Sequence, residues 1–390
     1  MLATATISKT PVKCRSFKGA SGGAEHYISL NAPAELGLKG QLDRIEADYR
    51  EAQKELGLDP GTAVFRRLFL SDPINQVSMV RESGLFRDPE ESPAAVSIVG
   101  QPPLGGAKVA MLAYHVSGCP ISKTQLSPKH LLVEKNGFRH LWSTRLCAGA
   151  HGTPVSADTQ TWEVFGDLIG TLAGQGSNLR EHCVRTWLYI KDVDIFYRGM
   201  VESRGRLFRQ HGMTEETHYI ASTGIEGACA HQFDLVLMDA YSLLDLAPGQ
   251  MSYLSDLGKL CPTKKYNVHF ERGTRIAYAD RAHHFISGTA SIDSEGRVVY
   301  PGNVVRQLER ALANVEGLLE SGDADLADMT HLVTYLRDES DFERLRDCLS
   351  ERFPTLPTIF VKAPVCRPEW LVEVEGIAIA SNHDPDLPDF

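Results

Sequence analysis

The segment VCRPEWLVEVEG, residues 365–376, sets a thiol, a guanidinium and two carboxylates along one apolar stretch. Val372, Val374 and Ile377 carry the alternation of a half-buried strand, so Glu373 and Glu375 share the face opposite the valines. Carboxylates on so apolar a strand stand at a wet edge or in a pocket. In a pocket, burial disfavours the ionised form and makes a carboxylic acid a proton donor near neutral pH. Glu373, between two valines and near Trp370, is the candidate proton donor, and Glu375 reads as the more solvated of the two. Cys366 is expected to line the same pocket as a small polarizable wall, in preference to a relay or nucleophile, because no histidine lies near it in sequence. Arg367 either clamps a substrate carboxylate or pairs with Glu369 or Glu375.

A second candidate segment is ISGTASI, residues 286–292. Ser287 and Thr289 offer hydroxyls where a strand ends, and Gly288 lets a ligand approach the backbone.

The elements that hold these residues recur three times. AVFRRLFLSDPINQ at 63–76, CVRTWLYIKDVDIF at 183–196 and MTHLVTYLRDESDF at 329–342 are alternating strands ending at Asp72, Asp192 and Asp338. Each follows an amphipathic helix. In the third, Val304, Leu308, Leu312, Val315 and Leu318-Leu319 fall at helical spacing. A second amphipathic segment follows each strand, and KVAMLAYHV, FDLVLMDAY and LVEVEGIAI close the units. Hairpin-like pairs open units two and three, with expected turns at Asn136-Gly137 and Arg272-Gly273. The fold class expected is therefore α+β: three tandem β-β-α-β-α-β units, each a sheet backed by two helices, joined as an intramolecular pseudo-trimer with clefts between neighbours. The expected divisions are a flexible tail over 1–22, units over 23–118, 119–262 and 263–380, and a second flexible tail over 381–390.

The net charge of −10 argues against nucleic acid as a partner. No apolar run approaches the roughly 20 residues of a membrane helix. The N-terminal stretch MLATATISKTPVKCRSF lacks the apolar core of a secretory signal. Eight cysteines without a C-x-x-C pair read as reduced thiols in a cytoplasmic protein with no metal site and no cofactor.

The third unit, FISGTASIDSEGRVVYPGN through FVKAPVCRPEWLVEVEGIAIA, resembles the Rid superfamily (YjgF, L-PSP endoribonuclease-like) over roughly 268–380, with a weaker likeness over 128–245 and 25–118. That resemblance implies a chorismate-mutase-like unit and active sites in the clefts of a trimer, here carried by one chain as a monomer or weak homo-oligomer. ISGTASI, C-R-x-x-W-L-V-E (366–373), RTWLY (185–189) and ASTGIEG (221–227) further resemble the chorismatases, which remove pyruvate from chorismate. In Rid deaminases the glutamate matching Glu373 polarises a water, and an arginine matching Thr358 holds the substrate carboxylate. With threonine there, the resemblance leaves Arg367, or Arg145 or Arg185 from the neighbouring unit, to hold a carboxylate from another direction. Glu226 adds a carboxylate to ASTGIEG as a further candidate contact.

Aligning the closing strands sets Glu373 against Leu237 and Ala110, so one working cleft, between units two and three, is expected. The expected function is a cofactor-independent hydrolase or lyase acting on chorismate or a related small cyclic enol-ether carboxylate. The alternatives are an enamine/imine deaminase of the Rid type and a non-catalytic binder of small molecules.

Overall fold

The computed structural model describes residues 6–9, 11–149, 154–261, 263 and 268–390. Unit one contains β1 (Thr6–Lys9), β2 (Val12–Lys18), β3 (Ala24–Asn31), α1 (Leu38–Leu56), β4 (Ala63–Leu70), α2 (Pro73–Glu82), β5 (Ala95–Gly100) and β6 (Val109–Ser117). Unit two contains β7 (Ser122–Ser127), β8 (His130–Lys135), β9 (Phe138–Cys147), α3 (Ala157–Gly174), the one-turn α4 (Leu179–His182), β10 (Cys183–Ile190), α5 (Val193–Gln210), β11 (Ala221–Glu226) and β12 (Val236–Leu243). Unit three contains β13 (Met251–Tyr253), β14 (Gly273–Ala277), β15 (Arg281–Ala290), α6 (Val304–Glu320), β16 (Met329–Leu336), α7 (Phe342–Arg352), β17 (Thr358–Lys362) and β18 (Val372–Ser381). Each unit folds into one six-stranded sheet: β1-β2-β3-β6-β4-β5, then β7-β8-β9-β12-β10-β11, then β13-β14-β15-β18-β16-β17. Among the described residues no helix is long and apolar enough to cross a membrane.

The α+β repeat stands, with two strands more per unit than β-β-α-β-α-β: one ahead of the opening hairpin (β1, β7, β13) and one after the second helix. After the second helix of each unit a short strand (β5, β11, β17) returns parallel to its predecessor and forms one edge of the sheet. The aspartates that end the repeated strands also begin the next turn of the chain. Asp72 and Asp338 accept backbone N–H groups of that turn, and Asp192 takes a left-handed φ of 49° before α5.

Several boundaries differ from the sequence expectation. Residues 12–18, expected in a flexible tail, form β2, with Val12, Cys14 and Ser16 buried; lysine and arginine on the outer face give it the look of a polar tail. Residues 1–5 and 10 of that tail lie outside the described residues. The expected C-terminal tail packs down as well: Phe390 is buried edge-on against His283 at 4.8 Å. Residues 251–253, expected in the second unit, pair with β14 of the third sheet. The hairpin of unit two turns at Asn136-Gly137, both at positive φ, as expected. That of unit three turns instead at 278–280. Gly273 lies in β14, where a Cβ would stand 3.0 Å from the Phe285 carbonyl oxygen, so close packing rather than a turn requires this glycine. Tyr266 and Asn267 of that expected hairpin are outside the described residues.

Strand register fixes which residues of the units are equivalent. Glu373, Leu237 and Ala110 stand opposite Tyr335, Tyr189 and Phe69. Two residues on, Glu375, Asp239 and Leu112 stand opposite Val333, Trp187 and Arg67. The inner faces of the sheets meet through aromatic pairs. Phe65 stacks on Trp142 at 5.0 Å between units one and two, and His331 stacks on Tyr27 at 5.0 Å between units three and one. The place on β10 equivalent to Phe65 and His331 is held by Arg185. A charge therefore replaces a ring at the boundary between units two and three alone.

Candidate functional site

A cavity of about 140 Å³ lies at that boundary. Unit three contributes Glu373 from β18, Gly288 and Ala290 from β15, and Cys366, Arg367 and Trp370 from the loop before β18. Unit two contributes Tyr197 and Arg204 from α5 and Ser222 and Gly224 from β11, while Arg272 lines the wall just ahead of β14. The apolar strand is shorter than expected, starting at Val372: Pro364 and Pro368 lack the N–H a ladder needs, so Cys366 and Arg367 sit in a loop.

Glu373 is buried, on the face opposite Val372 and Val374 as the alternation requires. β18 runs between β15 and β16, so neither carboxylate is at an edge. Burial pushes the Glu373 carboxyl up to about 8, with the neighbouring Glu375 adding to the rise and Arg272 and Arg185 opposing it. At neutral pH it carries a proton. A Cβ on Gly288 would collide with Glu373 Oε1 and lie 3.0 Å from Thr223 Cγ2, so glycine here leaves the carboxyl its room.

Glu375, read from sequence as solvated, is buried and fully engaged. It accepts from Arg185 Nη2 at 2.7 Å, from the Tyr335 hydroxyl at 2.8 Å and from the Thr223 hydroxyl. Arg67 stands 3.8 Å away and bridges onward to Asp239 at 3.1 Å. This network sets an arginine-paired carboxylate beside the buried Glu373.

Of the residues expected in the site, the structure gathers Glu373, Cys366 and Arg367. Cys366 is hydrogen-bonded to Tyr197, and burial pushes its thiol up to about 12, a wall and not a thiolate. Arg367 lies over the Trp370 ring at 4.6 Å and donates to the Gly296 carbonyl at 2.9 Å.

The other candidates are elsewhere. Arg185 is spent on Glu375, Thr223 and the Ile286 carbonyl, behind the cavity wall. Arg145 lines the cleft between units one and two and stacks on Phe86 at 4.9 Å. Ser287 accepts the Ser222 N–H at 2.9 Å and donates to the Glu271 carbonyl at 2.6 Å, a clip between units. Thr289 donates to the Ser287 carbonyl, and Glu226 accepts from the Asp192 and Val193 amides to cap α5. Arg185, Ser287, Thr289 and Glu226 are each engaged by groups of the protein itself.

Thr358 also faces elsewhere, into a cleft with Lys13 and Asn31 of unit one. The equivalent position that does face Glu373 is Ser222 of unit two, since Ser222 pairs with Thr186 as Thr358 pairs with Leu332. Counting within one unit misses this, because each cleft joins one unit's parallel edge strand to the next unit's centre.

Arg204 was not legible as a site residue. It sits on α5 in SRGRL, a run that reads as a solvated helix face, yet it is among the largest fully buried side chains. Its Nη1 donates to Ser222 Oγ at 3.2 Å, while Nε and Nη2 have no partner. A buried guanidinium with unmet donors on a cavity wall offers N–H groups with the geometry to hold an anion. Among the described residues no group of three His, Cys, Asp or Glu side chains could hold a metal ion.

The Endoribonuclease L-PSP family matches residues 275–380. A RutC family protein of Pyrococcus abyssi is 31% identical over 96 residues, 24% of this chain and 76% of that protein. A 3-hydroxybenzoate synthase of Streptomyces hygroscopicus is 29% identical over 105 residues, 24% of this chain but only 31% of that protein. A crystal structure of a chorismatase superposes with a TM-score of 0.61 at 16% identity, over 97% of this chain and 100% of the other. The three-unit architecture is thus that of a chorismatase, and through its third unit the chain belongs to the Rid (L-PSP endoribonuclease-like) superfamily.

Proposed function

We propose that the protein is a cofactor-independent enzyme that releases pyruvate from chorismate or a closely related cyclic enol-ether carboxylate, in the cavity between units two and three. The observation that carries this reading is the pairing of a neutral acid, Glu373, with the unmet donors of Arg204 across one small cavity. Arg204 takes one substrate carboxylate through its free edge, and Arg272 and Arg367 on the same wall set a positive field for a second.

Glu373 gives its proton to the methylene carbon of the enol ether. The ether-bearing carbon becomes an oxocarbenium ion, stabilised by the carboxylate that Glu373 has become. Water adds to this carbon, and the hemiketal collapses to pyruvate and the ring alcohol, returning a proton to Glu373. If the ring instead loses its own hydrogen and aromatises as pyruvate departs, the products are a hydroxybenzoate and pyruvate, with no net water. The likeness to a 3-hydroxybenzoate synthase supports considering that outcome beside hydrolysis.

The experiment is chorismate turnover in D2O. Protonation at carbon places one deuterium in the methyl group of pyruvate, and the ring product shows whether water was added. Pyruvate without deuterium, or no pyruvate from folded protein, contradicts the proposal.

A further inference from the structure

The cleft between units one and two keeps its cations and loses its acid. Thr144 N–H donates to the Lys129 carbonyl at 2.8 Å, as Ser287 N–H donates to the Arg272 carbonyl at 3.0 Å. Lys129 therefore holds the place of Arg272. Arg145 follows Thr144 as Gly288 follows Ser287, and both pairs sit where the register breaks against the closing strand. Leu237 pairs with Cys147 as Glu373 pairs with Ala290. A guanidinium thus replaces the glycine of the other cleft, and a leucine replaces its acid.

Arg145 is held in an uncommon backbone state. Its φ is 56°, left-handed for a residue with a Cβ, and its N–H donates to Asp239 Oδ1 at 3.0 Å. Its Cζ lies 4.9 Å from the centre of the Phe86 ring, and its Nη2 donates to the Pro128 carbonyl. Among the described residues its Nε and Nη1 make no hydrogen bond. Lys129 is tethered on the same cleft by a 3.1 Å ion pair with Asp167, and Arg81, in the last turn of α2, is exposed on it. Of the two carboxylates on the lining, Asp88 pairs with Arg66 and Glu90 is exposed. The cleft holds about 800 Å³, with Phe86, Pro93 and Leu131 supplying apolar surface.

We propose that this cleft is a second, non-catalytic binding site for a small carboxylate with an apolar or aromatic body. The Arg145 fork, oriented by Phe86, takes the carboxylate through its unengaged N–H groups. Lys129 and Arg81 add positive field, and the apolar surface covers the body of the ligand. Leu237 offers no proton, so the ligand is held and released unchanged.

The test uses the full-length protein and three probes: benzoate, benzamide and inorganic phosphate. Ligand-observed NMR titrations are run on R204M, which lacks the competing cation of the other cavity, and on R204M carrying R145N. Asparagine tolerates the left-handed backbone at this position. Benzoate should bind R204M, and at least about tenfold more weakly once R145N is added. Benzamide lacks the charge and phosphate lacks the apolar body, so each should bind R204M at least about tenfold more weakly than benzoate. Equal benzoate binding with and without R145N, or either control binding as well as benzoate, overturns the proposal. Should R145N fail to fold, a crystal of the wild type grown with 4-bromobenzoate decides. An anomalous bromine peak in this cleft, with the carboxylate in hydrogen-bond reach of Arg145, is expected. Bromine only in the cavity at Glu373, or nowhere, overturns the assignment. No arm requires turnover, so the result is independent of whether chorismate is the substrate at Glu373.

Discussion

Arg204 and Ser222 are joined by a hydrogen bond of 3.2 Å that leaves two guanidinium nitrogens of Arg204 unmet. The serine stands where the register of units two and three equates it with Thr358, and the arginine reaches that place from helix α5. The unmet donors of this cleft thus come from a helix rather than from the edge strand.

R204M should separate stability from function. Removing a buried, partly unmet guanidinium relieves a desolvation cost, so the ligand-free variant should melt no lower than the wild type, and up to a few degrees higher. Substrate affinity should fall by about 10- to 100-fold with the lost carboxylate contact. Calorimetry and KM measured side by side check both halves.

G288A should act through Glu373. The added methyl displaces the carboxyl from its seat against β15, and kcat should fall by about 10-fold or more for a displacement on the order of 1 Å. Circular dichroism should be unchanged, because the backbone at Gly288 has no positive φ.

Glu373 also writes a pH signature. Its carboxyl is raised to about 8 in the fold against an ordinary 4.5, so the folded state binds the extra proton between these values. Its contribution to stability is therefore complete below pH 4.5 and is lost as pH rises through 8. Activity should fall over the same upper limb, as the general acid ionises. E373Q should show a flatter melting temperature between pH 5 and 9, which a scan of both proteins measures.

The thiol of Cys366 should matter little to the chemistry. With its pKa pushed up to about 12, it is neutral at working pH, and C366A should retain activity within about tenfold while resisting any loss to iodoacetamide.

E375A should be severe for a different reason. It strands Arg185, buried and in a 2.7 Å ion pair, and should cost about 3–5 kcal/mol by chemical denaturation.

The three units, their strand alternation and the face of β18 that carries Glu373 could be read from periodicity, because burial on one sheet face forces every second residue to be apolar. The edge strands β5, β11 and β17 left little trace, being only five or six residues long, and so the crossing of each cleft between units was not legible. Arg145, Arg185, Ser287, Thr289 and Glu226 illustrate the same gap. A polar residue near a motif is as readily used by a cap, a clip or an ion pair as by a ligand, and only three-dimensional placement separates these uses. Arg204 illustrates the converse, a cavity-lining residue in an ordinary helical charge pattern.

The most direct test follows pyruvate release from chorismate by the wild type and by E373Q at pH 7, with each protein shown to be folded. Pyruvate formed by the wild type and reduced by about 100-fold or more in E373Q is the predicted result for loss of a general acid. Pyruvate released equally by both would contradict the role of Glu373. No release by the wild type, with turnover of an amino-acid imine in its place, would contradict the substrate class and make the protein a deaminase.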